Sequence, residues 1–350
     1  MADIYFYMDK KEISKILTKR LRKEININKI EPSGSGRHSD GYKLITDTGE
    51  EFFIKKIKAY NMGFEFPERK ISSLLIGHAM LRNVDIPPKT IGVAVKNKEM
   101  EFLPEISEET EIYHIQKYGG EGKSYLEILS KKANKKEIDN EDKKEIDKII
   151  DFIVKVHKGK HPSNNKEKLN VIYNDYLRNV IGNPEYLLML LHNIPHDNLF
   201  LNPKEQGEFM KLMLDNMHYF KDRHERLVSL HGDFWGANVF LKEDGEIFVI
   251  DYSRMPWGDA GFDIGFWMSQ YLFQYHTGNK EYFKQLGEYF LEQYIQRTGD
   301  KEIMQTMVFS LGLVAAMYAS SVWVPDVDDD ARKFFFEHVC EMLKIKKFFW

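Results

Sequence analysis

The chain has 350 residues, of which 43% are hydrophobic and 30% charged, and its formal net charge is −4. This length and balance fit a globular protein of about two domains, because domains commonly run roughly 100–200 residues. The charge excludes a general electrostatic attraction to nucleic acid or to anionic membranes. Cys340 is the only cysteine, so no intrachain disulfide can form and the composition fits a reducing compartment.

Neither the first residues of the chain nor its apolar runs predict export or membrane insertion. The first twelve residues contain no basic segment followed by an apolar run, so no signal peptide is expected. Apolar runs such as Tyr186 to Leu191 are far shorter than the roughly 18 residues that a membrane span needs. We therefore expect a cytoplasmic protein without a membrane partner. The sequence makes no prediction of oligomeric state.

The first third of the chain predicts one helix followed by strands. The helix starts after Asp9, whose side chain suits a helix N-terminus and is followed three residues later by Glu12, as in a capping box. Runs of apolar residues between turn signals then predict strands. The predicted strands cover 25–32, 41–46, 51–58, 90–95 and 99–103.

A glycine-rich segment, GSGRHSDG, occupies residues 34–41 between the first two predicted strands. Glycines such as Gly34 and Gly36 let backbone N–H groups come close to phosphate oxygens. The third glycine of the segment falls later than in G-x-G-x-x-G. The segment therefore predicts either a phosphate-covering loop or an ordinary hairpin turn.

The third predicted strand carries two adjacent lysines, Lys55 and Lys56. Neighbouring strand residues face opposite sides of a sheet, so only one of them can point towards a nucleotide. Phe52 and Ile54 would pack on the face opposite Lys55. This favours Lys55 as a phosphate-binding residue and leaves Lys56 in solvent, with both lysines on a solvated edge as the alternative.

A helix is predicted from Pro67, because proline suits the first helical turn and apolar residues follow at helical spacing. Glu65 and Glu68 lie at its start, where either could cap the helix. From residue 105 onwards the pattern is mainly helical, and His157 ends an amphipathic face as a buried, hydrogen-bonded residue. Asp263 is interpreted as the cap of another helix. Predicted helices cover 146–157, 172–193, 205–226, 280–297, 301–323 and 327–345.

Residues 227–251 predict a β-hairpin with polar residues at its mouth. The strands are Val239–Leu241 and Ile247–Ile250, and Asp244-Gly245 forms the turn between them. Asp233 and Asn238 precede the first strand, and Asp251 follows the second. In phosphoryl transfer, one carboxylate takes the acceptor's hydroxyl proton, while an amide oxygen and a second carboxylate hold magnesium. The hairpin therefore predicts Asp233 as the base and Asn238 with Asp251 as Mg²⁺ ligands.

The segments HGDFWGANVF (231–240) and VIDYSR (249–254) resemble the aminoglycoside phosphotransferase / choline kinase family of the protein-kinase-like superfamily. The resemblance implies an α+β, bilobal fold. Its small N-terminal antiparallel-sheet lobe would cover 1–104 and bind ATP, with GTP as a possible substitute. Its larger, mostly helical lobe would cover 105–350 and bind the acceptor.

The same resemblance implies roles for residues of the N-terminal lobe. Gly34 and Gly36 would cover the phosphates, and Lys55 would bind them. Glu68, or alternatively Glu65, would hold that lysine in place. A hinge at 100–104 would connect the lobes, and main-chain groups of Glu101 and Leu103 would pair with the base.

The predicted acceptor is a hydroxyl group of a small molecule: a sugar, an amino sugar or an amino alcohol. An RNA acceptor is a second possibility, since Arg20, Arg22, Lys23 and the lysines of 131–136 could form a local basic patch, although the net charge is negative. A protein acceptor is opposed by the lack of D-F-G at Asp251 and of a later A-P-E. A third possibility is an inactive relative that acts as a structural or binding module.

Overall fold

The computed structural model describes residues 9–35, 39–57, 74, 90–96, 111–182, 186–195, 198, 200–252, 255–320 and 327–350. The chain divides into two compact units, Met1–Gly120 and Glu121–Trp350. The elements described in the first unit are α1 (Lys10–Leu21), β1 (Ile27–Ser35), β2 (Ser39–Thr46), β3 (Glu51–Ile57), β4 (Thr90–Lys96) and β5 (Glu111–Lys117).

In the part of the N-terminal unit that the structure describes, five strands form an antiparallel sheet in the order β1-β2-β3-β5-β4. The sequence prediction of a helix at Asp9 is confirmed, since the Asp9 side chain accepts the backbone N–H of Lys11 at 2.8 Å. Ile13 and Leu17 of α1 join Phe52 and Ile54 of β3 in one apolar core cluster. The helix therefore covers one face of the sheet and buries the apolar side of β3.

The division between the units lies later than the sequence analysis placed it. Strand β5 pairs with both β3 and β4, so the chain is still in the N-terminal sheet at Lys117. The predicted boundary at Pro104 and the predicted strand 99–103 lie outside the described residues. The pattern of apolar residues does not predict strand β5, because the polar residues His114 and Gln116 are buried beside Ile115 in this central strand. The connection between the units therefore follows β5, at residues 118–120.

The C-terminal unit is mostly helical. Its strands are β6 (Lys123–Ser124), β7 (Leu227–Ser229), β8 (Val239–Leu241), β9 (Ile247–Val249) and β10 (Trp257–Asp259). Its helices are α2 (Tyr125–Lys131), α3 (Asn140–His157), α4 (Lys166–Gly182), α5 (Leu187–His192), α6 (Pro203–Tyr219), α7 (Gly261–Thr277), α8 (Lys280–Thr298), α9 (Ile303–Ala319) and α10 (Asp329–Ile345).

Small antiparallel sheets and two buried helices form the centre of this unit. Strands β6, β8 and β9 form one sheet, and β10 pairs with β7 in another. Gly261 and Gly265 let α7 approach α9 closely, because a Cβ at either position would clash with Thr306, Met307 or Ser310. The wholly buried first turns of α7 therefore provide a rigid support for neighbouring loops. None of the helices in the described part of the chain is long and apolar enough to cross a membrane.

A buried ion pair fixes β10 to the segment that leads into β7. Arg226 contacts both carboxylate oxygens of Asp259, at 2.5 and 3.0 Å, and also binds Asp300. Burial opposes ionisation of Asp259, but the Arg226 guanidinium outweighs it and keeps the pKa of that carboxyl below its usual range. Breaking a buried pair of this kind leaves an uncompensated charge, so the network is a strong structural constraint.

A histidine pair between α7 and α10 predicts acid sensitivity. His276 Nε2 and His338 Nδ1 lie 2.8 Å apart. Burial, aided by His338 and Lys280, lowers the pKa of His276 to about 4. The pKa of an unfolded histidine is about 6.5. Between these two pKa values, the unfolded chain therefore binds more protons than the folded chain. This contribution to stability is present in full above pH ~6.5 and is lost as the pH falls towards 4.

We therefore expect the melting temperature to fall between pH 7 and pH 4, and to fall less steeply in His276→Gln. Thermal unfolding of both proteins across this range, at one ionic strength, measures the difference. A slope in the variant as steep as that of the wild type would contradict the assignment to His276.

Candidate active site

The loop between β7 and β8 brings two of the predicted site residues together. We call residues 231–238 the catalytic loop. Asp233 in this loop is partly exposed, whereas Asn238 is buried. The Asn238 side-chain amide donates to the main-chain oxygen of Asp233 at 2.8 Å and to its carboxylate Oδ2 at 3.1 Å. Since Nδ2 is used in this way, Asn238 would bind a metal ion through its amide oxygen.

The hairpin fixes Asp251 relative to the catalytic loop. The N–H of Ile250, the residue before Asp251, donates to the main-chain oxygen of Asn238 at 3.0 Å. Asp251 has φ +70°, in the left-handed region that side-chain-bearing residues seldom adopt. Strain of this kind concentrates at functional sites, where the surrounding structure holds it. The predicted hairpin is confirmed, and both predicted metal ligands belong to it.

His231 connects the two ends of this arrangement. Its Nδ1 accepts the backbone N–H of Asp233 at 3.2 Å, so Nδ1 carries no proton. Its Nε2 therefore carries the proton and donates to the main-chain oxygen of Ile250 at 2.9 Å. Burial lowers the pKa of His231, which favours this neutral form. His231 thus braces the loop through both of its ring nitrogens.

Asp263 has a larger role than the sequence analysis gave it. It lies in the first turn of α7, but the N-cap of that helix is Ala260, so the capping interpretation is wrong. Its carboxylate instead accepts the N–H of His231 at 2.7 Å and the N–H of Gly232 at 2.8 Å. The side chain is fully buried. An aspartate inside the apolar stretch Phe262 to Phe266 was the available signal, since a buried charge needs partners.

His157 supports Asp263 from the other side. Its Nε2 donates to Asp263 Oδ2 at 3.1 Å, and its Nδ1 lies 2.8 Å from the hydroxyl of Tyr294. The side chain is 6% exposed. The interpretation of His157 as a buried, hydrogen-bonded residue is therefore confirmed. Together with Asp263 it joins α3, α7 and α8 to the start of the catalytic loop.

The predicted nucleotide-binding residues belong to the N-terminal unit. Lys55 lies between Gly41 and His114 in the sheet register, and its side chain is 9% exposed. Lys56 is partly exposed, on the face of Phe52 and Ile54. Gly34 has φ +109°, which only glycine adopts readily, and it lies next to the last residue of β1. Gly36, Glu65, Glu68, Glu101 and Leu103 lie outside the described residues.

The donor set of the C-terminal unit fits magnesium better than a transition metal. Within the residues that the structure describes, no group of three or more His, Cys, Asp or Glu side chains could hold a metal ion. Magnesium instead takes oxygen ligands, usually one or two carboxylates together with waters and substrate phosphates. The Asn238 amide oxygen and the Asp251 carboxylate are oxygen donors of this kind.

An antiparallel sheet in one unit, and a catalytic loop braced on buried helices in the other, define a protein-kinase-like fold. The family model of fructosamine kinase matches residues 193–289, which include the catalytic loop, Asp251 and Asp263. No curated protein sequence matches the chain.

Solved structures match nearly the whole chain at low identity. A fructosamine-3-kinase from Haemophilus somnus, described as putative in its name, has a TM-score of 0.55 at 12% identity and covers 95% of this chain and 96% of its own. An ethanolamine kinase from Plasmodium vivax has a TM-score of 0.53 at 13% identity and covers 91% and 85%. A thermostable aminoglycoside phosphotransferase mutant, in a ternary complex with ADP and hygromycin B, has a TM-score of 0.51 at 10% identity and covers 96% and 98%.

These similarities confirm the predicted fold class, with an N-terminal antiparallel sheet and a helical C-terminal part. The resemblance to small-molecule kinases of the protein-kinase-like superfamily is thereby confirmed at the level of the fold.

Proposed function

We propose that the protein is an ATP- and Mg²⁺-dependent phosphotransferase that moves the γ-phosphate to a hydroxyl group of a small molecule. The observation that carries this proposal is that Asp233, Asn238 and Asp251 are held together by the β8–β9 hairpin and by His231, which braces it. The family match and the names of the three structural neighbours, all kinases or phosphotransferases of small molecules, support the reaction class. A sugar, an amino sugar or an amino alcohol is the proposed acceptor.

Asp233 is proposed to bind and orient the acceptor hydroxyl. As the acceptor oxygen forms its bond to the γ-phosphorus, its proton passes to the Asp233 carboxylate, and the bond to the bridging oxygen of ADP breaks. The hydrogen bond from Asn238 to Asp233 Oδ2 holds the carboxylate in one orientation. Magnesium, when bound, would neutralise charge on the phosphates. Asn238 and Asp251 are proposed to hold it.

In the N-terminal unit, Lys55 is the proposed phosphate-binding lysine, with Gly34 and Gly36 in the covering loop and Glu68 as the partner of Lys55. Because β5 belongs to the N-terminal sheet, the chain leaves this unit at residues 118–120. We propose that the main chain of this connection, rather than that of Glu101 and Leu103, pairs with the base. ATP is the proposed phosphate donor, and GTP is the alternative donor.

Asp251→Ala is expected to weaken binding of the magnesium–nucleotide complex by at least about tenfold, because one of two protein ligands is lost. Calorimetric titration of Mg·ATP and Mg·GTP into the wild type and the variant measures this and identifies the nucleotide. Asp244→Ala, on the exposed turn of the same hairpin, is the matched control and should bind like the wild type.

Binding of the nucleotide to the wild type that is lost in Asp251→Ala would support the proposed metal site. Acceptors could then be screened by ADP release. Absence of binding to the wild type would overturn the enzymatic proposal and favour a binding module of kinase-like fold.

A further inference from the structure

The second half of the catalytic loop is a tight turn. The N–H of Asn238 donates to the main-chain oxygen of Trp235 at 3.0 Å, which closes a four-residue turn with Gly236 and Ala237 at its centre. This turn sets the position of Asn238 after Asp233. The N–H and C=O of Gly236 are not used by the closing hydrogen bond. Because buried main-chain groups need partners, their partners determine how firmly the turn is held.

Both groups of Gly236 are satisfied from neighbouring elements. Its N–H donates to Gln270 Oε1 of α7 at 3.1 Å, and its oxygen accepts the N–H of Leu126, in the first turn of α2, at 3.1 Å. A Cβ at position 236 would lie 2.5 Å from Gln270 Oε1. The close approach of Gln270 therefore requires glycine at this position.

Burial of the Gln270 side chain at this position lowers the stability of the fold. It is 4% exposed, and within the described part of the chain its Nε2 has no hydrogen-bond partner. A buried donor without a partner destabilises a protein, whereas methionine would fill similar space without a polar group. The polar atom of Gln270 that forms a hydrogen bond is thus Oε1, which accepts the N–H of Gly236. Asp263 precedes Gln270 by seven residues, about two helical turns, so one face of α7 holds both ends of the catalytic loop.

We propose that Gln270 is a positioning residue that fixes the Trp235–Asn238 turn through Gly236 and thereby places the Asn238 amide oxygen for the metal ion. This inference rests on the proposed function, because it gives Asn238 the role of metal ligand. Gln270 itself touches neither substrate nor metal. Its contribution is to the spacing of Asp233 and Asn238.

The test replaces Gln270 with Met. We expect little change in melting temperature, because the lost hydrogen bond to Gly236 is offset by removal of the unpartnered Nε2. Hydrogen exchange, followed by mass spectrometry without nucleotide, should accelerate in peptides that cover 234–238. The value of kcat should fall about 10- to 100-fold, as for residues that orient metal ligands. The Mg²⁺ concentration for half-maximal activity should rise, and excess Mg²⁺ should restore part of the rate.

Two further variants separate positioning from general packing. Met268→Leu changes a fully buried residue of the same helix that lies near Gly287 of α8, and it should match the wild type in exchange and kcat. Gln270→Glu keeps an oxygen that can accept the Gly236 N–H in either protonation state, so it should restore slow exchange at 234–238 and most of the rate.

Unchanged exchange at 234–238 in Gln270→Met, or equal acceleration in Met268→Leu, would overturn the positioning role. Accelerated exchange without any change in kcat or Mg²⁺ dependence would also overturn it. Exchange needs no catalysis, so the outcome is separate from that of the proposed function, which fails if the wild type binds no nucleotide.

Discussion

Asp233→Asn is expected to reduce turnover by about 10²–10⁴-fold, the usual contribution of a positioned general base. The substitution keeps the size of the side chain and one oxygen atom, but it removes the group that accepts the hydroxyl proton. The hydrogen bond from Asn238 to the main-chain oxygen of Asp233 does not depend on the side chain. Affinity for Mg·ATP should therefore stay within about twofold of the wild type, since the loss of a transition-state interaction lowers kcat without a change in ground-state binding.

Single-turnover measurement of ADP formation, with the acceptor identified by screening, tests this expectation. Asp244→Asn makes the same chemical change at an exposed turn residue of the same hairpin and should leave kcat unaltered. Near-native turnover in Asp233→Asn would show that another group accepts the proton, even if the fold and the nucleotide site stand as described.

The parts of the structure that were predictable from the sequence are those in which local chemistry and position agree. Asp9 caps α1 because a short acceptor side chain precedes an apolar helical face. Burial of Phe52 and Ile54 on one face of β3 was predictable because strand residues alternate between the two faces of a sheet. The Asp244-Gly245 turn, with Gly245 at φ +79°, sets the hairpin that joins Asn238 to Asp251.

The parts that escaped prediction depend on partners distant in sequence. Strand β5 shows no apolar pattern because its polar residues His114 and Gln116 are buried between two neighbouring strands. Asp263 looked like a helix cap because its partners, His231 and Gly232, lie about 30 residues earlier in the chain. Spacing along the sequence indicated the candidate catalytic and metal-binding residues. Residues that position the candidate catalytic residues, such as Asp263, become apparent only from their hydrogen bonds in the folded chain.

Asp263 is for this reason a residue whose loss should damage both stability and activity. One carboxylate accepts hydrogen bonds from two catalytic-loop N–H groups and from His157. Asparagine at this position would present an amide NH₂ group to at least one of these donors. A buried donor left without an acceptor costs about 1–3 kcal/mol, so we expect Asp263→Asn to lower the free energy of unfolding by about 2–3 kcal/mol. Displacement of the loop should lower kcat by about 10²-fold, because small errors of placement are costly in catalysis.

Asp259→Asn separates the two effects, because Asp259 is equally buried but binds Arg226, Tyr173 and the N–H of Gly261 rather than the catalytic loop. Urea denaturation should show a comparable loss of stability in both variants, since each breaks a buried, charged hydrogen-bond network. Well below either melting temperature, Asp259→Asn should retain the kcat of the wild type and Asp263→Asn should not. Equal losses of kcat would mean that activity follows overall stability, and that the contacts of Asp263 with His231 and Gly232 have no specific part in placing Asp233.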